Sequence, residues 1–262
     1  MASKYKEIIV DITGRIGTIK FNRPKSLNSF TNKVSQETIS AIRELNEHPD
    51  TVFTVLTGEG RFFSSGADVR GSGLESIEKY ANDGEKKIAF MHRFTPALEM
   101  LRSIIDHKKV FVLALNGPAV GGGAAWFTGI SDITFASTSC YLQAPFSALG
   151  LVPEHGSAIN FAQSMGVHRA NDFFMFGRKL TAEELEQWGI VNRVFPAEGF
   201  QQSSMMEMKR LQNAPLRDGR LIAVVNAIDA LAERFVENAP MERFAVKKRE
   251  METKSKNRSS KI

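Results

Sequence analysis

The 262-residue chain holds one cysteine, Cys140, so no intramolecular disulfide can form, and no CxxC or Cys/His cluster offers zinc ligands. A reducing compartment is the expected setting. The Gly-rich turn at 117–123 has no Walker lysine and does not fit GxGxxG spacing, which argues against both common nucleotide-binding motifs. A GxSxG nucleophile elbow is also missing, and no histidine stands in a recognisable partner context for Ser64 or Ser65, so a serine hydrolase is disfavoured. The opening residues, with Glu7 and Asp11 close together, do not read as a secretory or transit leader. No internal repeat is visible, and no low-complexity segment precedes the C-terminal tail.

Positive charge is scarce where a nucleic-acid groove would need it. The formal net charge is +5, yet residues 243–262 alone hold eight Lys or Arg against two Glu. The preceding 242 residues carry 26 basic and 27 acidic groups, so the body is near neutral and no nucleic-acid partner is expected. One uncharged stretch, Val110 to Ser131, is long enough to suggest a membrane span. Asn116, Pro118 and glycines at 117, 121, 122, 123 and 129 would loosen a lipid-exposed helix, whereas a buried strand, turn and helix would use them all. No membrane span is expected.

What the chain does have is 42% hydrophobic residues, enough for a substantial core. Strands are expected at Ile8–Ile12, Thr18–Phe21, Thr51–Thr57, Val110–Leu115, Asp132–Ala136, Tyr141–Gln143 and Val191–Phe195. Helical patterns cover Asn32 to His48, capped by Thr31 or Asn32, and Leu74 to Ile105, and another helix opens near Gly122. Three more follow at Ser157–Met165, His168–Phe176 and Thr181–Trp188, the last with Thr181 and Glu184 as a capping box. Beyond Glu198 the pattern is helical, with Pro215 and Pro240 as expected interruptions. The expected organisation is an α/β core over residues 1–197 and a helical region with a basic tail over 198–262.

Three segments could carry chemistry. Gly117-Pro-Ala-Val-Gly-Gly122-Gly123 presents backbone N–H groups at a helix start, where an anionic oxygen could sit; close helix packing explains the same glycines. Ser64-Ser65-Gly66-Ala67-Asp68-Val69 is a second turn of small residues after a buried strand. The two turns could each aim one N–H at a single oxygen, as an oxyanion hole requires, with Asp68 as a local turn cap. Pro145-Phe146 to Pro153-Glu154-His155-Gly156 sets one carboxylate among apolar residues just before a helix. Glu154 is then either a solvated group favoured by the helix dipole or a desolvated base, with His155 structural.

Together these segments resemble the crotonase (enoyl-CoA hydratase/isomerase) superfamily. Phe63-Ser-Ser-Gly-Ala67-Asp68 is similar to its SGAD loop, Asn116-Gly-Pro-Ala-Val-Gly-Gly122-Gly to its NGxxxGGG turn, and Thr181 to Val191 to its helix-and-strand segment ending G-(L/I)-V. The resemblance implies a spiral of ββα units followed by a C-terminal helical trimerisation region. It also implies an acyl-CoA ligand held at Ser65, Gly66, Ala67, Asp68, Val69, Gly122 and Phe146, no cofactor beyond the CoA of the substrate, and a homotrimer or dimer of trimers. The family's hydratases have glutamates where this chain has Ala125 and Phe146, two side chains that cannot activate water. The segment Pro145 to Gly156 instead resembles the PFxxLGxxPEG segment of the family's 3-enoyl-CoA to 2-enoyl-CoA isomerases, with His155 replacing a usual glycine. By that resemblance Glu154 is the single base, the Ala67 and Gly122 amides hold the thioester oxygen, and Ala125 and Phe146 form an apolar wall. Other acyl-CoA reactions of the family and a non-catalytic CoA-binding scaffold are the alternatives, the scaffold being favoured only if Glu154 is solvent-exposed and points away from the Ala67 and Gly122 amides. Ser260-Lys261-Ile262 resembles a peroxisomal SKL address, so an import receptor and the peroxisomal matrix are expected. Lys247, Lys248 and Arg249 suit either CoA phosphates or a solvated helix face, and Met205, Met206 and Met208 suit helix packing.

Overall fold

The computed structural model describes residues 4–68, 80–192 and 202–259, with side chains over 217–252 in the last stretch. Strands β1 (Ile8–Thr13) and β2 (Ile16–Phe21) form a hairpin closed at Gly14. Helix α1 (Asn32–Glu47) follows, its N-terminus capped by the Thr31 side chain, which accepts from the Val34 N–H. Strands β3 (Phe53–Gly58) and β4 (Val110–Leu115) add in parallel, joined through α2 (Asp83–Ile105). The principal sheet is completed by a strand at Ile133–Ala136, paired in parallel with β4. β4 is buried along almost its whole length, whereas β3 alternates between buried and half-buried positions.

The uncharged stretch from Val110 resolves into β4, a two-residue strand β5 (Ala119–Val120), and a helix α3 of only four residues (Gly122–Ala125). The strand at Ile133–Ala136 is β6. A second, three-stranded sheet joins β5 to β7 (Tyr141–Gln143) and β8 (Lys179–Thr181) in the order β5-β7-β8. Helices α4 (Ser157–Met165) and α5 (Val167–Phe176) pack on each other, and α6 (Ala182–Gln187) packs against β8 and carries the reciprocal Thr181/Glu184 capping box.

Helix α7 (Gln202–Val236) runs through Pro215 without a break, contrary to expectation. A proline removes one backbone bond and bends a helix, but good helix formers on both sides, Leu211, Gln212 and Ala214 before it and Leu216 and Arg217 after it, let the helix continue. Pro240 does coincide with an interruption. Asn238 is left-handed (φ 63°) and the proline falls in the first turn of α8 (Ala239–Ser259), where its missing N–H costs nothing. Val191 and Asn192 are not in a strand; instead Asn192 exchanges two hydrogen bonds with Thr134 of β6. The remainder of that expected strand, and the boundary near residue 197, lie outside the described residues.

The helical region is not a separate layer. Val224 and Ile228 of α7 belong to the same buried cluster as the sheet residues, and α7 packs along α2. No helix among the described residues is long and apolar enough to cross a membrane.

Candidate active site

An aromatic nest beneath the two small-residue turns fixes their position. Phe21, Phe63 and Phe127 are fully buried, with Phe21 edge-on to Phe63 at 5.4 Å and to Phe30 at 5.4 Å. Above them the loop after β3 is stitched on both sides. Phe63 N–H donates to the Pro118 carbonyl (3.1 Å) and Val120 N–H to the Ser64 carbonyl (2.9 Å). Phe30 N–H donates to the Gly66 carbonyl (2.8 Å), and Asp68 N–H donates to the Phe30 carbonyl (3.0 Å). Because an extended chain alternates the direction of its N–H groups, Ala67 turns its own N–H away from Phe30.

The turns abut closely, which is why they need glycine. A Cβ on Gly117 would stand 2.1 Å from the Arg61 carbonyl oxygen. Gly66 has φ +85°, and a Cβ there would lie 2.7 Å from the Val120 carbonyl and 3.3 Å from the Gly122 nitrogen. Gly122 opens α3, so its N–H has no acceptor one turn back. Among the described residues, neither the Ala67 nor the Gly122 N–H has a hydrogen-bond partner.

Glu154 comes from a separate segment. After Pro145, a single 3-10 turn at Ser147–Leu149 ends on left-handed Gly150, and Leu151 N–H returns to the Phe146 carbonyl. His155 and Gly156 are both left-handed (φ 52° and 79°), and Ser157 N–H then donates to the Glu154 carbonyl as α4 begins. His155 thus keeps the backbone conformation a glycine would adopt freely, at some steric cost.

The Glu154 side chain is 13% exposed. Burial pushes its carboxyl up from 4.5 to about 7, opposed by a hydrogen bond from Trp126, whose Nε1 donates to Oε2 at 2.8 Å. His155 is also buried, and desolvation pushes it down to about 3, so it is neutral at physiological pH. Its Nδ1 stands 3.8 Å from Glu154 Oε2, beyond hydrogen-bond range, and neither ring nitrogen has a partner among the described residues.

A cavity of about 650 Å³ brings these groups together. Ser65, Gly66, Ala67, Asp68, Gly122, Phe146 and Glu154 all line it, and Val69 lies outside the described residues. Its walls are mostly apolar, with Leu231 and Phe235 of α7 and Phe244 of α8 on one side. Two expectations need correction. Ala125 is fully buried and does not line the cavity, whereas its neighbour Trp126 does. Asp68 is more than a local cap: it accepts from Arg23 Nη2 (3.2 Å) and Ser29 Oγ (3.1 Å), tying the loop to the segment before α1. Lys247, Lys248 and Arg249 are exposed on α8, as the solvated-face reading has it, and do not line the cavity, whereas Lys33 and Arg93 do. The Met205, Met206 and Met208 side chains lie outside the described residues.

Sequence reasoning missed Trp126, Arg23 and the contribution of α8. A tryptophan in an otherwise small-residue helix start was a visible signal, because a buried indole needs an acceptor for its N–H.

A family model described as Enoyl-CoA hydratase/isomerase matches residues 11–259. A rat protein named Enoyl-CoA delta isomerase 2 is 35% identical over 222 residues, 84% of this chain and 54% of its own length. A Pyricularia oryzae protein named Delta(3,5)-Delta(2,4)-dienoyl-CoA isomerase is 34% identical over 192 residues, 71% of this chain and 68% of its own. A mouse protein named Enoyl-CoA delta isomerase 3, peroxisomal, is 32% identical over 208 residues, 79% of this chain and 63% of its own. This chain therefore spans about half the length of the rat relative. In fold, it is similar to the crystal structure of an enoyl-CoA hydratase/isomerase from Pseudoalteromonas atlantica, with a TM-score of 0.80 at 23% identity over 94% of this chain and 98% of that one. Family match, relatives and fold agree with the motifs around Ala67, Gly122 and Glu154: the chain belongs to the enoyl-CoA hydratase/isomerase (crotonase) family.

Proposed function

We propose that the chain isomerises 3-enoyl-CoA to 2-trans-enoyl-CoA, with Glu154 as the only base. The observation that carries this reading is the carboxylate inventory of the cavity. Among its described lining residues only Glu154 and Asp68 are carboxylates, and Asp68 is engaged by Arg23 and Ser29. Glu154 is set among apolar groups and raised to about 7, close to the pH at which a base can both take and return a proton. The thioester oxygen accepts from the N–H groups of Ala67 and Gly122. Negative charge that develops as a C2 proton leaves is then held as an enolate. Glu154 takes that proton from C2 and returns it to C4, and the double bond moves from position 3 to position 2. Atoms balance within the substrate, so the step consumes no water or redox equivalent.

Hydration is disfavoured by what occupies the two positions where the family's hydratases carry glutamate. Phe146 lines the cavity and Ala125 is buried and does not line it, and neither can hold a water molecule. The scaffold alternative required a Glu154 that is solvent-exposed and turned away from the two amides, and its 13% exposure argues against the first of these. Supplying 3-enoyl-CoA, 3,5-dienoyl-CoA and 2-enoyl-CoA separately tests the assignment. Conjugation of 3-enoyl-CoA alone supports it; hydration of 2-enoyl-CoA as the dominant reaction refutes it. A trimeric assembly and peroxisomal import through Ser260-Lys261-Ile262 belong to the same reading and rest on family resemblance and the terminal tripeptide.

A further inference from the structure

We infer that Trp126 is a positioning residue for Glu154, whose indole N–H ties down Oε2 so that Oε1 is the oxygen that exchanges protons with substrate. The inference rests on the reading of Glu154 as base. Nε1 donates to Oε2 at 2.8 Å, which leaves Oε1 as the carboxylate oxygen without that restraint. The indole itself is packed against two rings. Phe30 stacks on it at 4.9 Å with planes 18° apart, and the His155 ring lies 4.8 Å away on a tilt of 56°. A ring so packed cannot swing its N–H away from the carboxylate without repacking Phe30, which is itself pinned by the Gly66 and Asp68 backbone bonds. The same Phe30 backbone therefore registers the Ala67 turn and steadies the ring that orients the base. A one-ångström error between base and reacting carbon is costly, which gives this shared anchor its value.

A donor to a carboxylate also favours its ionised form. The other titratable groups lining the cavity are Lys33, Asp68, Arg93 and His155. Asp68 pairs with Arg23, and His155 is kept neutral by burial. Burial and the indole thus set the carboxyl between them, in opposite directions.

The test replaces Trp126→Phe, which keeps an aromatic ring beside Phe30 and His155 but removes the N–H. Site-specific incorporation of benzothienylalanine, a near-isosteric ring with sulfur for the N–H, is the second variant and guards against misfolding. Two readouts are taken. Infrared titration of the Glu154 carboxyl in the free protein, with Glu154→Gln as the subtraction control, follows protonation without turnover. Steady-state kinetics with 3-enoyl-CoA follow catalysis. Both variants are expected to move the infrared midpoint upward by about one pH unit. They should also lower kcat by about 10- to 100-fold with KM changed less than about threefold. An unmoved midpoint, or equal loss in KM and kcat, overturns the inference. A moved midpoint in a protein that does not isomerise 3-enoyl-CoA at all overturns the proposed reaction instead, and leaves the hydrogen-bonding role of Trp126 standing.

Discussion

Glu154→Gln should make the protein more stable at pH 8 while leaving its stability near pH 4.5 almost unchanged. In the native state the carboxyl is raised from 4.5 to about 7 by burial. Between those values the native protein keeps a proton that the unfolded chain has lost, so stability falls as pH rises through the window. The full rise corresponds to about 3 kcal/mol, and relaxation around the ionised group reduces this to about 1–3 kcal/mol. Glutamine removes the titration and keeps a carbonyl oxygen for the Trp126 N–H. His155 acts in the opposite sense. Lowered from 6.5 to about 3, it is unprotonated in the native state while the unfolded chain binds a proton, so its contribution grows as pH rises from about 3 to 6.5. The two slopes largely cancel in the wild type between pH 4.5 and 6.5, and only the difference between the variant and wild type isolates Glu154. Urea unfolding of both proteins at pH 4.5, 6 and 8 measures it. An increment of about 1–3 kcal/mol at pH 8 that vanishes at pH 4.5 is expected; an increment independent of pH would refute the claim that Glu154 is held in a desolvated site.

The same carboxyl sets the pH dependence of turnover. Because the base acts ionised, kcat/KM for 3-enoyl-CoA should fall about tenfold per pH unit below 7 and level off above it; a plateau reaching down to pH 5 would contradict the burial of Glu154. Gly66→Ala places a methyl at φ +85° and 2.7 Å from the Val120 carbonyl. It should cost about 2 kcal/mol or more in stability and weaken acyl-CoA binding, and calorimetry showing unchanged affinity would detach the Ala67 turn from the ligand site. A fluorescent reporter carrying the last twelve residues should collect in peroxisomes and lose that location when Ile262 is deleted; diffuse cytosolic signal from both forms counts against the address.

Much of the fold was legible because its signals are local. Thr31 and Thr181 with Glu184 announce helix starts through their own side-chain hydrogen bonds, and α4 begins and ends at the residues its pattern suggested. Charge-poor β4 could be recognised as a covered strand for the same reason. The second sheet was less legible. β5 has two residues and β8 three, so neither shows a period, and each exists because a partner strand is brought alongside. Pro215 misled because a proline's effect depends on whether the helix around it is strong enough to continue.

At the site, the two small-residue turns and the lone carboxylate were readable from their segments, and the roles given to Ala67, Gly122 and Glu154 came from the family resemblance. Their settings were not. Trp126 reaches Glu154 across 28 positions and Arg23 reaches Asp68 across 45, and both contacts arise only when separate strands and turns are stacked. His155 shows the same limit in reverse: it replaces the glycine usual in the family pattern, yet its left-handed backbone fits the turn that a glycine would make.

The most direct test of the account measures Glu154→Gln for turnover of 3-enoyl-CoA and, by calorimetry, for binding of a saturated acyl-CoA. Loss of about 10³-fold or more in kcat, with Kd within about threefold of wild type, is the predicted result, since the variant keeps the Ala67 and Gly122 amides and the apolar cavity but has no base. Near-normal turnover in a protein that still binds acyl-CoA would contradict the single-base mechanism.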